Sequence, residues 1–219
     1  MTDNERAGRF IVAMSPACWV TLAGGACSML AVLILSDSMA TPGRRHYFFL
    51  GCAFMFLGLL GDALDGLLAR RWRQESDFGK YLDSISDAIT FLVAPAVALR
   101  ALGVTGIVPS LALLFMVGAG LTRLARFTMI GNVDTGRGKG YLGLPCYYSH
   151  FAVVVLYPVR VVVPPWAFLA LTTVTLLGLG FLFVYRVTFR KPTNLLLMLS
   201  VIGSFLVAAV ALFALRVSP

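Results

Sequence analysis

Seven apolar stretches, each close to the roughly 20 residues that carry a helix across a bilayer, fill this chain and leave almost nothing to build a soluble domain. They run near Pro16–Leu35, Tyr47–Ala69, Tyr81–Leu99, Ile107–Phe127, Leu144–Val161, Trp166–Tyr185 and Leu195–Leu215. The expectation is helices, because an open sheet cannot satisfy its backbone polar groups in lipid. The stretches break where punctuation residues fall, at Thr41-Pro42-Gly43, from Gly103 to Pro109, from Gly131 to Gly143, at Pro164-Pro165 and at Lys191-Pro192. Pro158 and Arg160 shorten the fifth. With 59% apolar and only 13% charged residues and a mean hydropathy of +0.87, a water-soluble fold is excluded. The fold class expected is an all-α polytopic membrane bundle forming a single membrane-embedded domain over residues 1–219.

Charge sets a direction. With the N-terminus in the cytoplasm, 13 of the 18 basic residues gather on the cytoplasmic side, Arg70, Arg71, Arg73, Lys80, Arg123, Arg126, Arg137 and Lys139 among them. Arg44, Arg45, Arg100, Arg160 and Arg216 remain opposite, so the positive-inside rule places the loops after spans two, four and six in the cytoplasm. Topology thereby absorbs the formal charge of +8, which in a soluble protein would point to nucleic acid; no nucleic-acid partner is expected. Arg6 to Met14 have the makings of a short N-terminal interfacial helix. The opening residues lack the layout of a cleaved signal peptide and read as mature sequence. Cys18, Cys27, Cys52 and Cys146 lie in or beside apolar segments without metal-binding spacing, and read as packing thiols.

Ionisable residues inside a span are costly and default to function. Four of the ten acids stand together: Asp62 and Asp65 near the end of the second span, Asp83 and Asp87 at the start of the third. Spacings of three and four put each pair on one helix face. Asp65 and Asp62 lie five and eight residues before Arg70, and Asp83 and Asp87 lie four and eight after Gly79, so an antiparallel hairpin brings the pairs to matching depths. At about 1.5 Å per residue that depth is roughly 6–12 Å from the cytoplasmic helix ends. Four carboxylates there demand compensating cations. Hard oxygen donors without His or thiolate favour Mg²⁺, Mn²⁺ or Ca²⁺, and four of them suit a two-metal site for a pyrophosphate. A lone intramembrane aspartate often snorkels or caps a helix, whereas four in register do not. Gly66 and Gly79 fit either helix packing or close approach of a nucleotide.

The segment Asp62-x2-Asp65-Gly66-x2-Ala69-Arg70-x8-Gly79-x3-Asp83-x3-Asp87 matches every fixed position of the signature of the CDP-alcohol phosphotransferases, which the chain resembles closely over residues 62–87 and more loosely across six spans. The resemblance implies a six-helix core with the seventh span outside it, and two divalent metal ions, Mg²⁺ or Mn²⁺. It implies that Asp62, Asp65 and Asp83 are metal ligands, that Gly66, Ala69, Arg70 and Gly79 line the site of the CDP moiety, and that Asp87 is the catalytic base and touches metal as well. The substrates implied are a CDP-lipid and a small alcohol, handled in the membrane by a homodimer of prokaryotic inner-membrane type with its site facing the cytoplasm. The reaction implied is attack of the alcohol on the lipid-proximal phosphorus with release of CMP, in phospholipid biosynthesis.

Serine, glycerol 3-phosphate, inositol phosphate and choline all serve as acceptors in such enzymes. Arg123-Leu-Ala-Arg126-Phe127, followed by Gly143-Leu144-Pro145, resembles the phosphatidylserine synthase branch, with Arg190-Lys191 compatible. Arg123 and Arg126 either bind the carboxylate of serine or anchor the span by the positive-inside rule. Small residues are expected after Gly-Leu-Pro, and this chain has Cys146-Tyr147-Tyr148-Ser149-His150 instead. The tyrosines form either a cation–π cage for choline or an interfacial belt. His150 reads as a buried hydrogen-bonded residue, and Asn132, Asp134 and Thr135 as solvated. An ion-coupled transporter would also carry intramembrane acids but has no need of a CDP-site signature.

Overall fold

The computed structural model describes residues 14–41, 44, 46–72, 76–131, 133–134, 139–190 and 195–217. The expected N-terminal interfacial helix lies outside them, save for Met14. Helix α1 (Pro16–Ala40) starts at an N-cap, Ser15, whose hydroxyl accepts from the Cys18 N–H, with Pro16 in the first turn where its missing N–H costs nothing. Helix α2 (Tyr47–Trp72) runs back beside it, and α3 (Asp77–Asp87) follows a short turn. Ser76 caps α3 by accepting from the Gly79 N–H at 3.0 Å. A π turn (Ala88–Val93) and α4 (Ala94–Ala101) complete the third span, and α5 (Ile107–Ile130) lies between Gly106 and Gly131, both at positive φ. Then come α6 (Tyr148–Val162), α7 (Pro165–Val184) and α8 (Leu195–Val217).

Among the described residues, five helical segments are long and apolar enough to cross a membrane: Pro16–Ala40, Tyr47–Leu68, Asp77–Ala101, Ile107–Ile130 and Pro165–Val184. Tyr148–Val162 and Leu199–Leu215 are shorter apolar helices. The seven expected stretches thus all appear as helix, in an all-α polytopic bundle. The fifth begins later than expected, at Tyr148, because Gly143 and Leu144 are tied by backbone hydrogen bonds to Val187 and Leu182 at the end of α7. Large apolar side chains such as Ile107, Val108, Leu111 and Leu114 face outward, as lipid-facing surface does.

Small residues set how closely α1 meets α2. A methyl built on Gly61 would come 2.8 Å from Gly24 Cα, and one on Gly24 would come 3.4 Å from Gly58 O. Such contacts let helix backbones touch where lipid offers no hydrophobic drive to bring them together. The core beneath is apolar, with Leu35, Met55, Leu92, Leu99 and Met116 fully buried.

One feature was not expected. At the end of the bundle where α5 and α7 finish, three short strands pair antiparallel: β1 (Val133–Asp134), β2 (Lys139–Leu142) and β3 (Thr188–Arg190), with Gly140 opposite Arg190 and Leu142 opposite Thr188. The loops after the fourth and sixth spans are therefore joined. This ribbon is a cap on the helical bundle, and Gly143, at φ +83°, turns the chain from it against the carbonyl of Phe183.

Candidate functional site

Helix α3 has no buried residue of its own and is fixed instead by what each face meets. Ser84 Oγ shares a hydrogen bond with Thr128 Oγ1 of α5, and Ser86 Oγ donates to Thr21 O of α1 at 3.3 Å. Tyr81 and Ile85 point outward, both more than 60% exposed. The remaining face carries Asp83 and Asp87, and it meets α2.

There the carboxylates of Asp62, Asp83 and Asp87 converge, each offering an oxygen within 4.8 Å of the others, and all three residues are half-buried. Helix ends explain the meeting. Asp62 lies ten residues before Trp72 and Asp87 ten after Asp77, which at 1.5 Å per residue puts both about 15 Å from the hairpin turn. The carboxyl oxygens of Asp62 and Asp87 accordingly lie within 4.8 Å of each other. Both are deeper than the 6–12 Å expected, because α2 continues past Arg70 to Trp72 and α3 begins before Gly79.

Asp65 stands beside this trio, not within it. It is 5% exposed and turned toward α1, its carboxylate in reach of the Thr21 hydroxyl and the Gly66 N–H. It still bears electrostatically on Asp83. Thr21 was not singled out in the sequence; with Ser28 it is one of two hydroxyls in the apolar stretch Pro16–Leu35.

The two glycines part company. A methyl on Gly66 would meet nothing within 4 Å among the described residues, so Gly66 borders open space there. A methyl on Gly79 would lie 3.1 Å from Ser76 Oγ and 3.6 Å from Cys18 Sγ, inside the cap of α3. Ala69 and Arg70 continue α2, but their side chains lie outside the described residues. The same holds for Asn132, Thr135, Lys191 and the side chains of Asp134 and Arg190.

Arg123 and Arg126 line one cleft with Phe127, Ile130, Gly131 and Leu142. Arg126 is half-buried, while Arg123 is 7% exposed, its guanidinium 5.7 Å from the Phe127 ring centroid. Its Nη1 donates to Cys146 Sγ at 3.8 Å, and that thiol donates in turn to Gly120 O at 3.8 Å. Tyr147 and Tyr148 stack on one another with centroids 5.0 Å apart and planes at 22°, which encloses no space between the rings. His150 is wholly buried, edge-on to Phe56 and Phe91.

A helical bundle of this length and apolarity, holding a carboxylate trio between two of its spans, defines an integral membrane protein with a polar intramembrane site. A family model for the CDP-alcohol phosphatidyltransferases matches residues 14–218, and the chain belongs to that family. It is similar to a CDP-diacylglycerol–serine O-phosphatidyltransferase of Bacillus subtilis, 31% identical over 64% of this chain and 73% of the relative. It is also similar to an enzyme of the same name from Saccharomyces cerevisiae, 38% identical over 47% of this chain, and to an archaetidylserine synthase from Methanothermobacter thermautotrophicus, 41% identical over 43%. The match spans only 39% and 40% of those two relatives.

Proposed function

We propose that this chain transfers a phosphatidyl group from CDP-diacylglycerol, or a similar CDP-lipid, to the hydroxyl of L-serine and releases CMP. The observation that carries the reading is the convergence of Asp62, Asp83 and Asp87 from two spans. An all-oxygen anionic donor set without His or Cys fits hard divalent ions, Mg²⁺ or Mn²⁺. Asp62, Asp65, Asp83 and Asp87 would hold two of them. Bound there, they would neutralise the pyrophosphate and the charge that builds on the departing phosphate.

The chain's own residues supply the rest. Open space at Gly66 admits the nucleotide against the α2 backbone, with Ala69, Arg70 and Gly79 completing its site. Asp87 takes the proton of the serine hydroxyl as that oxygen bonds to the lipid-proximal phosphorus and the bond to CMP breaks. Arg123 and Arg126 hold the serine carboxylate. Burial favours this over anchoring for Arg123, because an interfacial anchor keeps its charge in water and Arg123 does not. Cys146 accepts a hydrogen bond from that arginine and holds its side chain in place. The names of the relatives point to serine, and the stacked tyrosines offer choline no cage. The excess of basic residues on one side supports a site open to the cytoplasm of a prokaryotic inner membrane, and family resemblance supports a homodimer.

Purified protein given labelled CDP-diacylglycerol should release CMP with L-serine and far less with choline, glycerol 3-phosphate or inositol phosphate. Chelation should abolish that release, and Mg²⁺ or Mn²⁺ should restore it. Turnover with another acceptor and none with serine would reassign the arginine cleft; full activity after exhaustive chelation would remove the metals.

A further inference from the structure

Directly behind Asp87 the third span leaves the α pattern. Ala88–Val93 form a π turn in which the Ala94 N–H reaches back to Ile89 O. The cause lies at Pro95: it has no N–H, so the carbonyl of Phe91, four residues earlier, loses its α-helical donor. The Ser149 hydroxyl, in the first turn of α6, donates to that carbonyl and also lies 2.8 Å from Cys146 O. Ser149 is fully buried. Thr90 of the same turn shares a 2.8 Å hydrogen bond with Ser28 of α1. Two hydroxyls from two other helices thus grip one irregular turn, and the carboxylate helix ends on it.

A π turn holds an extra residue, and one residue of register rotates everything before it by about 100° relative to everything after. Asp83 and Asp87 can face Asp62 while Leu92 and Leu99 remain in the core only if this turn keeps its form. We propose that Ser149 is a positioning residue: by donating to the carbonyl whose α-helical donor Pro95 removes, it fixes the turn and with it the aim of Asp83 and Asp87. This rests on the reading of the carboxylates as a metal site. The π-turn habit of appearing at functional sites is in keeping with it.

The test is Mn²⁺ binding to purified protein, followed by the resonance signal of the free ion, with thermal stability measured alongside. Ser149→Ala should weaken Mn²⁺ binding about tenfold and lower Tm modestly. Adding Pro95→Ala to it supplies the missing N–H to Phe91 O and lets the turn relax toward α geometry. The double variant should therefore regain Tm without regaining Mn²⁺ affinity. Unchanged Mn²⁺ affinity in Ser149→Ala, or recovery of both quantities in the double variant, would overturn the proposal. Should Ser149→Ala not fold, Ser149→Cys, close in volume but a weak donor, carries the same expectation. Asp83→Asn separates the underlying reading: if it binds Mn²⁺ as well as the unaltered protein does, the metal site itself is wrong, whatever Ser149 does.

Discussion

Asp83 and Asp87 share a helix face one turn apart, and the proposed function gives them different work. Both offer an oxygen to the trio with Asp62, and Asp83 alone of the two also bears on Asp65. Asp83→Asn removes charge where the metals would bridge the substrate, so turnover should vanish and CDP-lipid binding should weaken, as a binding titration would show. Asp87→Asn should leave CDP-lipid bound and slow the chemical step by about 10²–10⁴-fold, the ordinary weight of a general base. Equal loss of binding in both would make Asp87 a ligand first. For Arg123, lysine keeps the charge and loses the fork. A charge-assisted hydrogen bond is worth about 1.5–3 kcal/mol, so Arg123→Lys should raise the serine KM about tenfold or more while leaving the CDP-lipid KM near its starting value. An unchanged serine KM would return Arg123 to an anchoring role. The aspartates stood out in the sequence because acids inside a span are costly, and Arg123 with Arg126 stood out as a pair that either binds a carboxylate or anchors the span. Thr21, Cys146 and Ser149 did not, since a hydroxyl or thiol in a membrane helix commonly bonds only its own backbone, as Ser204 and Thr175 do here.

Among the elements, the pairing of α2 with α3 follows from spacing alone, whereas the π turn and the strand ribbon depend on contacts far apart in sequence. Pro95 was the one local sign of the turn. Nothing local marks β2 and β3 as partners, because their pairing joins Gly140 to Arg190, 50 residues further along the chain. Two glycines on α2 turn the packing into a comparison. Gly61→Ala places a methyl 2.8 Å from Gly24 Cα, a backbone atom that cannot swing aside, and overpacking of that kind costs about 1–3 kcal/mol. Its Tm should fall. Gly66→Ala meets nothing within 4 Å, and in a helix interior alanine is favoured over glycine by up to about 1 kcal/mol, so its Tm should hold or rise. If the nucleotide approaches there, the same methyl should raise the CDP-lipid KM. A stable Gly66→Ala protein with unaltered kinetics would move the nucleotide elsewhere.

At the scale of the whole molecule, the loops after the even-numbered spans belong together: the ribbon joins the fourth to the sixth, and Ser84 with Thr128 ties the start of the third span to the end of the fourth. The arginine cleft and the carboxylates open at this end. By sequence the basic residues divide 13 against 5 in favour of that end, from which the positive-inside rule predicts that it faces the cytoplasm. Sidedness can be read with single cysteines, since the native thiols at 18, 52 and 146 are buried and that at 27 half-buried. Asp77 stands at the start of α3 with its side chain 87% exposed, and its ion pair with Lys80 is a surface pair worth at most about 1 kcal/mol, so Asp77→Cys should fold normally. Thr105, exposed in the loop between α4 and α5, marks the other face. In intact cells a membrane-impermeant maleimide should label Thr105→Cys, and Asp77→Cys only once the membrane is opened. The reverse pattern would turn the site outward, away from a cytoplasmic supply of CDP-lipid, and would place the arginine-rich end against the positive-inside rule.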